Sequence, residues 1–438
     1  MLDIKFIREN TDKVKQNVAF RRIKVDIDEV LELDAKRREL MQKSQELRAL
    51  RNEKSSGKPT DVEIKEMRDV RVTIQKYEEE LRELDEKYLD KLSRIPNMAS
   101  ANMPQGDGND DHLELAVWTK EGYLDKGKLG KGNDSAKYLP KRQGLHHVDL
   151  GKALEIIDVE QSVVTSGSRF SYLLGDGVLL QYGLFELLKG KLLEEGFTPM
   201  VVPVLVKEKV LFGTSHFPEG RDQVYEIASH NVEENNKLFL VGSSEPSLFG
   251  YYMNKVIPES KLPVKMFAYT HCFRSEVGSW GNDVRGIKRV HQFDKLEMDM
   301  ITHPDKSYEA MEYLRSINEW FMQQLELPYR IINKCSGDCG YNATALQYDL
   351  EGWLSTQGEF IELGSNTNAT DYQARRMNIK YLDKNNNREF AHTVNDTGIP
   401  MGRMLIAILD NYQEKDGTVT IPKVLQEYMG KKAIVAKK

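Results

Sequence analysis

Cysteine is scarce in this chain: Cys272, Cys335 and Cys339 are the only three in 438 residues. Three thiols cannot supply the disulfide framework of a small secreted domain, and so few suit a reducing compartment. Cys335 and Cys339 stand four apart, but no second Cys/His pair follows at zinc spacing, so no structural metal is expected there. No apolar run approaches the ~18 residues a membrane helix needs. The first ten residues, MLDIKFIREN, carry early acids where a signal peptide would have an apolar stretch, so the cytoplasm is the expected location and a membrane is not an expected partner. Neither charge dominates. With 62 Lys and Arg against 68 Asp and Glu, the net charge of −6 exerts no global pull on nucleic acid, and any such binding has to be local. A Walker-type phosphate loop and a parallel βαβ run are both missing, which argues against a nucleoside-triphosphate site of the P-loop kind.

A chain of this length is expected to hold two or more domains. Residues 1 to about 95 follow a helical period, with Asp3 and Asn10-Thr11 as candidate caps. Between Ile27 and Lys54 there is neither Gly nor Pro, and Leu33, Leu40 and Leu47 recur every seven residues beside Val30 and Leu50. Ser55-Ser-Gly-Lys-Pro59 interrupts the pattern. It then returns through Met67, Ile74, Leu81, Tyr88 and Ile95, with Val70, Tyr77 and Leu84 at the paired positions. Two heptad helices joined by a short turn predict an antiparallel coiled-coil hairpin over 27–95, with arms of about 40–50 Å. Such arms are too long to be buried in a globular body and are expected to project. The distal part carries Lys36, Arg37, Arg38, Lys43, Arg48, Arg51, Lys54 and Lys58 against three glutamates, whereas the returning helix is acidic at Glu78-Glu79-Glu80, so a single face is basic. Residues 95–144 are rich in Gly, Asn, Asp and Pro. By composition the chain divides into a helical stretch to about 95, a linker-like stretch to about 144 and a remainder from about 145 to 438. The last of these mixes helices at 178–195 and 401–412 with strands at 237–241, 359–363 and 392–394, which predicts an α+β domain with an antiparallel sheet flanked by helices.

The richest segment runs from Cys272 to Glu297: CFRSEVGSWGNDVRGIKRVHQFDKLE. Arg274, Arg285, Lys288, Arg289 and Lys295 are set among Glu276, Asp283, Asp294 and Glu297, and Gly278, Gly281 and Gly286 allow the middle to bend. The flanks alternate with period two, so the segment predicts strand, long loop, strand. An arginine fork grips phosphate or carboxylate and carboxylates hold amines, so this set suits a zwitterionic amino acid beside a nucleotide.

This string resembles the second signature motif of class II aminoacyl-tRNA synthetases in its seryl version. Similar pieces cover nearly the whole chain: the MLDIKFIREN start, Ile95-Pro-Asn, Ser166-Gly-Ser-Arg-Phe, Gly196 to Pro203 (motif 1), Gly402-Arg403 within NDTGIPMGRMLIAILDNYQ (motif 3), and the tail from Asp416 to Gly430. The resemblance implies a tRNA-binding helical domain over 1–110 with its long arm, a linker region over 111–165 and a class II catalytic domain over 166–438. It implies activation of L-serine by ATP to seryl-adenylate and transfer to tRNA(Ser), with tRNA(Sec) as a second candidate acceptor. It also implies Mg²⁺ and a homodimer with Pro203 at its interface. By resemblance, Arg274, Arg403 and Glu297 are catalytic. Ser243, Ser244, Glu245, Arg274, Glu297, Asn368 and Thr397 bind serine. Arg274, Ser275, Glu276, Val290, Phe293, Glu362, Leu363, Gly364, Ser365 and Arg403 bind ATP, with Phe293 stacking on adenine and Arg403 on the γ-phosphate. Glu362 and Ser365 hold the metal. On the arm, Lys36, Arg37, Arg38, Lys43, Arg48, Arg51 and Lys54 are the implied tRNA contacts, made mainly to backbone and shape.

The chain departs from the family pattern at Ser243, where Thr is usual, at Gly364 and Asn366-Thr367 beside the metal strand, at Ser336-Gly-Asp-Cys339, and at Asn282, where Arg is usual in the motif 2 loop. The last position touches transfer to tRNA. Two alternatives compete with the leading reading: a paralogue that passes serine to a non-tRNA acceptor, and an inactive coiled-coil interaction protein. Retention of the long arm weighs against the first; retention of Arg274, Arg403 and Glu297 weighs against the second.

Overall fold

The carboxylate of Asp3 accepts a hydrogen bond from the Lys5 amide at 2.7 Å and starts the first helix, Ile4–Glu9 (α1). Thr11–Phe20 (α2), Ile27–Lys54 (α3) and Asp61–Ser93 (α4) follow. The computed structural model describes residues 1–54, 61–228, 237–278 and 285–436, the side chains at 54 and 61–64 excepted. It divides into two compact units, Met1–Met98 and Ala99–Lys438.

In the first unit Asp26 caps α3, its Oδ1 accepting from the amides of Asp28 and Glu29 at 2.9 and 3.3 Å. Helices α3 and α4 hold 28 and 33 residues, which makes them about 42 and 50 Å long. They pair along the heptad seam. Val30, Ile74, Tyr88 and Leu92 are buried, while Leu33, Leu40, Leu47, Leu81 and Leu84 are half-buried. A two-helix seam has solvent on both flanks and cannot cover its knobs more fully. Leu50 stays 38% exposed. Arg37–Asp85, Arg48–Glu78 and Lys91–Glu29 (2.8 Å) cross between the helices.

The second unit is built on nine strands: Leu113–Thr119 (β1), Gly122–Tyr123 (β2), Thr198–Pro199 (β3), Val264–Phe273 (β4), Gln292–Thr302 (β5), Tyr329–Asn333 (β6), Leu346–Leu354 (β7), Glu359–Thr370 (β8) and His392–Pro400 (β9). Their order is β2-β1-β6-β7-β8-β9-β5-β4-β3, antiparallel except where β3 runs parallel to β4. β1 lies within the 111–165 stretch and pairs with β6. The expected strand at 237–241 forms as Leu238–Leu240, but it pairs with Leu205–Lys207 outside the large sheet and buries Phe239 against Val206, Leu211, Phe217 and Val241. The helices that matter for the site are Asp176–Glu194 (α5), Glu245–Gly250 (α6), Ser307–Gln324 (α7), Tyr372–Met377 (α8) and Met401–Tyr412 (α9). Helix α7 packs on the side of β8 that bears Asn366 and Asn368, since Asn366 Nδ2 donates to Met311 O at 2.8 Å and Asn368 Nδ2 to Ser307 Oγ at 3.1 Å. The opposite side is left for a cavity. None of the described helices is long and apolar enough to cross a membrane.

Candidate active site

The period of two along a strand selects the residues that meet. On β5, Phe293, Lys295 and Glu297 share a face. On β8 the cavity side takes Ser365 and Thr367, and on β9 it takes Asn395 and Thr397. β5 pairs with β9 so that Glu297 lies opposite Thr397, and Thr397 Oγ1 donates to Glu297 Oε2 at 3.4 Å. The motif at Ser243 ends in the short helix α6, where Ser243 Oγ accepts from the Glu245 amide at 3.2 Å. These elements enclose a cavity of about 240 Å³.

The cavity has a basic, aromatic end and an acidic end. Toward the first lie Ile287, Val290 and Phe293, with Glu276, Arg289 and Arg403 around them. Arg274 connects the two: its guanidinium sits 5.6 Å from the centre of the Phe293 ring and its Nε donates to Gly242 O at 3.3 Å. At the acidic end Glu297 and Lys295 form an ion pair at 2.5 Å, and both side chains are almost fully buried. Removing one member would strand the other's charge, at a cost of about 3–5 kcal/mol. Glu245 accepts from Gln373 Nε2 at 2.7 Å. Burial, and then the negative charge of Glu297, push the Glu245 carboxyl up to about 7. Beyond Glu297 on the same strand face, Asp299 is fully buried and neither of its oxygens has a hydrogen-bond partner among the described residues.

Glu362 and Ser365, the residues implied for a metal, both line the cavity. Ser365 lies across the strand pair from Asp349. Gln347 Nε2 donates to both Ser365 Oγ and Asp349 Oδ1 at 2.8 Å. Glu362 pairs with Arg403 at 3.2 Å. Among the described residues no group of three or more His, Cys, Asp or Glu is placed to hold a metal ion alone. One carboxylate plus one hydroxyl, both oxygen donors, fits Mg²⁺ that completes its shell with water and phosphate.

Thirteen of the sequence-derived site residues come together here: Ser243, Glu245, Arg274, Glu276, Val290, Phe293, Glu297, Glu362, Leu363, Gly364, Ser365, Thr397 and Arg403. Three do not line the cavity. Asn368 requires correction as a serine-side residue, because β8 alternation turns it behind the sheet to Ser307. Ser244 is buried under Ala268 O at 3.5 Å, and Ser275 Oγ donates to Asp222 O at 2.5 Å. Pro203 is exposed, and its carbonyl accepts from Ser247 Oγ at 2.6 Å. On the arm, Arg37, Arg38, Lys43 and Arg48 are engaged with Asp85, Asp34, Glu39 and Glu78. Lys36 is exposed and Arg51 half-buried. The side chain of Lys54, together with Lys58, Gly281, Asn282 and Asp283, lies outside the described residues.

The structure adds Thr214, His216, Lys295, Tyr341, Gln373 and Asn395 to the site. Two signals for these were available in the sequence: Lys295 stands two before Glu297, and Asn395 two before Thr397. The other four arrive from loops and from α8, and no local pattern marks them.

The chain is similar to known proteins along its length. A model of the seryl-tRNA synthetase N-terminal domain matches residues 1–99, and one of the tRNA synthetase class II core domain (G, H, P, S and T) matches residues 225–412. A serine–tRNA ligase of Dictyoglomus turgidum is 37% identical, with 100% of each chain covered. A crystal structure of seryl-tRNA synthetase from Pyrococcus horikoshii complexed with ATP superposes with a TM-score of 0.86 at 35% identity, covering 100% of both chains. A cytoplasmic serine–tRNA ligase from Naegleria fowleri in complex with AMP gives 0.81 at 30% identity over 100% of this chain and 99% of the other. Likeness of this depth, running from one end to the other through both domains, makes the chain a member of the seryl-tRNA synthetase family, built on the class II synthetase fold.

Proposed function

We propose that this protein activates L-serine with ATP and transfers the seryl group to tRNA(Ser). The supporting observation is the cavity itself, in which an arginine spans a nucleotide-like end and a doubly acidic end. The serine carboxylate attacks the α-phosphate, a new P–O bond forms, and pyrophosphate leaves. A terminal ribose hydroxyl of the tRNA then attacks the seryl carbonyl, and AMP leaves. Neither step calls for a protein nucleophile. The chain's contribution is placement and neutralisation of charge that grows on the phosphate.

Arg274 bridges the serine carboxylate and the α-phosphate. Phe293 stacks on adenine, with Val290 and Glu276 beside the base. Arg403, paired with Glu362 at 3.2 Å in this structure, turns to the γ-phosphate when ATP arrives. Glu362 and Ser365 would hold Mg²⁺, which would screen the negative charge of the phosphates. Glu245 takes the ammonium of serine, while Glu297 and Thr397 take its hydroxyl. A site built around that hydroxyl leaves buried groups unpaired when alanine enters, which is a strong means of rejection.

The coiled-coil arm contacts tRNA through Lys36, Arg37, Arg38, Lys43, Arg48, Arg51 and Lys54. The cations now paired within the arm are solvent-exposed or half-exposed, so exchanging a carboxylate for a phosphate costs little. The working form is a cytoplasmic homodimer with Pro203 at its interface. The decisive assay gives the purified protein serine, ATP and Mg²⁺, with and without tRNA(Ser). Serine-dependent pyrophosphate exchange and formation of seryl-tRNA are expected. Exchange without charging would instead indicate a non-tRNA acceptor, and no exchange would indicate an inactive body.

A further inference from the structure

Two loops meet over the acidic end of the cavity, one at 214–220 and one at 336–344. Their side chains His216 and Tyr341 both line it. The rings lie 4.5 Å apart between centroids, tilted by 38°. The loops are joined a second time where Asn342 Nδ2 donates to Glu219 Oε1 at 2.9 Å. They also approach closely at Gly220, where a Cβ would come within 3.1 Å of the Tyr341 ring and 2.9 Å of His216 O. His216 is further braced from below: its Nδ1 is 2.9 Å from Thr214 Oγ1. The Thr214 carbonyl accepts from Gln373 Nε2 at 3.3 Å, and the same Nε2 donates to Glu245 Oε1. A hydrogen-bonded chain therefore runs from the acid proposed to hold the ammonium group to the His216 ring. Burial first, and then the charges of Arg274 and Lys295, push the imidazole down to about 3, so it stands in the cavity uncharged.

We propose that His216 and Tyr341 form the wall that sets the depth of the amino-acid end, admitting the hydroxymethyl group of serine and turning away the extra methyl of threonine. This rests on the serine-activation reading. His216 is buried and braced from both loops, with Tyr341 as the more exposed member beside it, so the wall resists withdrawal on the His216 side, where an added carbon forces shifts in packed side chains. Discrimination of one methyl by packing alone amounts to about 10–200-fold.

The test is pyrophosphate exchange with serine and with threonine, measured on wild type, His216→Ala, Tyr341→Ala and Tyr341→Phe, with thermal melting as the check on folding. Removing either ring is expected to raise the threonine-to-serine ratio of kcat/KM about tenfold or more, with the KM for ATP unchanged. Tyr341→Phe, which keeps the ring, retains the wild-type ratio. The proposal is overturned if the ratio stays at the wild-type value in the alanine variants, including the case where both substrates decline in parallel. Should one alanine variant fail to fold, the other decides. A wild-type protein that performs no serine-dependent exchange removes the serine reading itself, whereas normal serine exchange with an unmoved ratio removes only the wall.

Discussion

Arg274 is the side chain on which the most chemistry converges, between the Phe293 ring and the Glu245–Glu297 end of one cavity. Lysine there keeps a charge but loses the planar fork that grips carboxylate and phosphate together. Arg274→Lys is expected to slow serine-dependent exchange by about 10²–10³-fold, with the melting temperature close to wild type. Glu245 yields a pH prediction. Burial and the neighbouring Glu297 push its carboxyl up to about 7, and an ammonium ion is held by the ionised form. Serine kcat/KM should therefore rise with pH up to about 7 and then level, while Glu245→Gln shows a low value without that rise. The same shift acts on stability with the opposite slope. A carboxyl raised in the fold binds its proton more tightly there than in the unfolded chain, so its contribution is greatest below the unfolded value and declines as pH climbs toward 7. A wild-type profile with no inflection between pH 6 and 8 would remove Glu245 from the ammonium role.

Among the elements, β8 and β9 do two jobs at once. One face presents Ser365, Thr367, Asn395 and Thr397 to the cavity. The other carries Asn366 and, directly opposite it, Asp396, against Asn318 of α7, whose Nδ2 donates to Thr397 O at 3.0 Å. Both amide nitrogens are thus engaged, whereas Asn318 Oδ1, Asn366 Oδ1 and Asp396 Oδ2 have no partner among the described residues. Burial, and then the charges of Glu297 and Asp349, raise the Asp396 carboxyl well above the usual range. When protonated, the Asp396 carboxyl has one O–H to donate, enough for one of the two amide oxygens. Because the raised carboxyl holds its proton more tightly in the fold than in the unfolded chain, Asp396 lowers stability as pH rises above the unfolded carboxylate range. Asp396→Asn carries a permanent donor. It should be more stable than wild type at pH 8 by about 1–3 kcal/mol, with the difference vanishing near pH 4, as read from denaturant curves. The arm is the other element with a separable task. Deleting 27–95 should abolish charging of tRNA(Ser) and leave pyrophosphate exchange in place; equal loss of both would refute a role confined to tRNA.

For the molecule as a whole, the exposed stretch around Pro203 bears on assembly. Val201 is 104% exposed, Leu205 40%, and Pro203 is also exposed, which leaves this stretch open for a second copy. Val201→Glu is expected to shift the protein from dimer to monomer by light scattering, and a dimer that survives the charge would place the interface elsewhere.

How much could be read in advance follows from the range of each signal. Heptads at Leu33, Leu40 and Leu47, or at Ile74, Leu81 and Tyr88, are short-range patterns, and the helices they predict are those observed. The same holds for the strands around the motif 2 loop and for α9, whose periods lie within a single element. The family-like strings also carried most of the cavity lining, since a motif packs several site residues into a few positions of one strand. Which face a residue takes within a bulged or long strand was not legible. Asn368 was expected at the cavity and stands behind it. Nor was the meeting of His216, Tyr341 and Gln373, which come from separate parts of the chain. The amino-acid sequence by itself determined the elements, the arm and the kind of chemistry, because hydrophobic period and motif spacing are local. Only the tertiary structure decided which polar groups share the buried cavity, because that depends on strand register and loop docking, set by packing across the whole sheet.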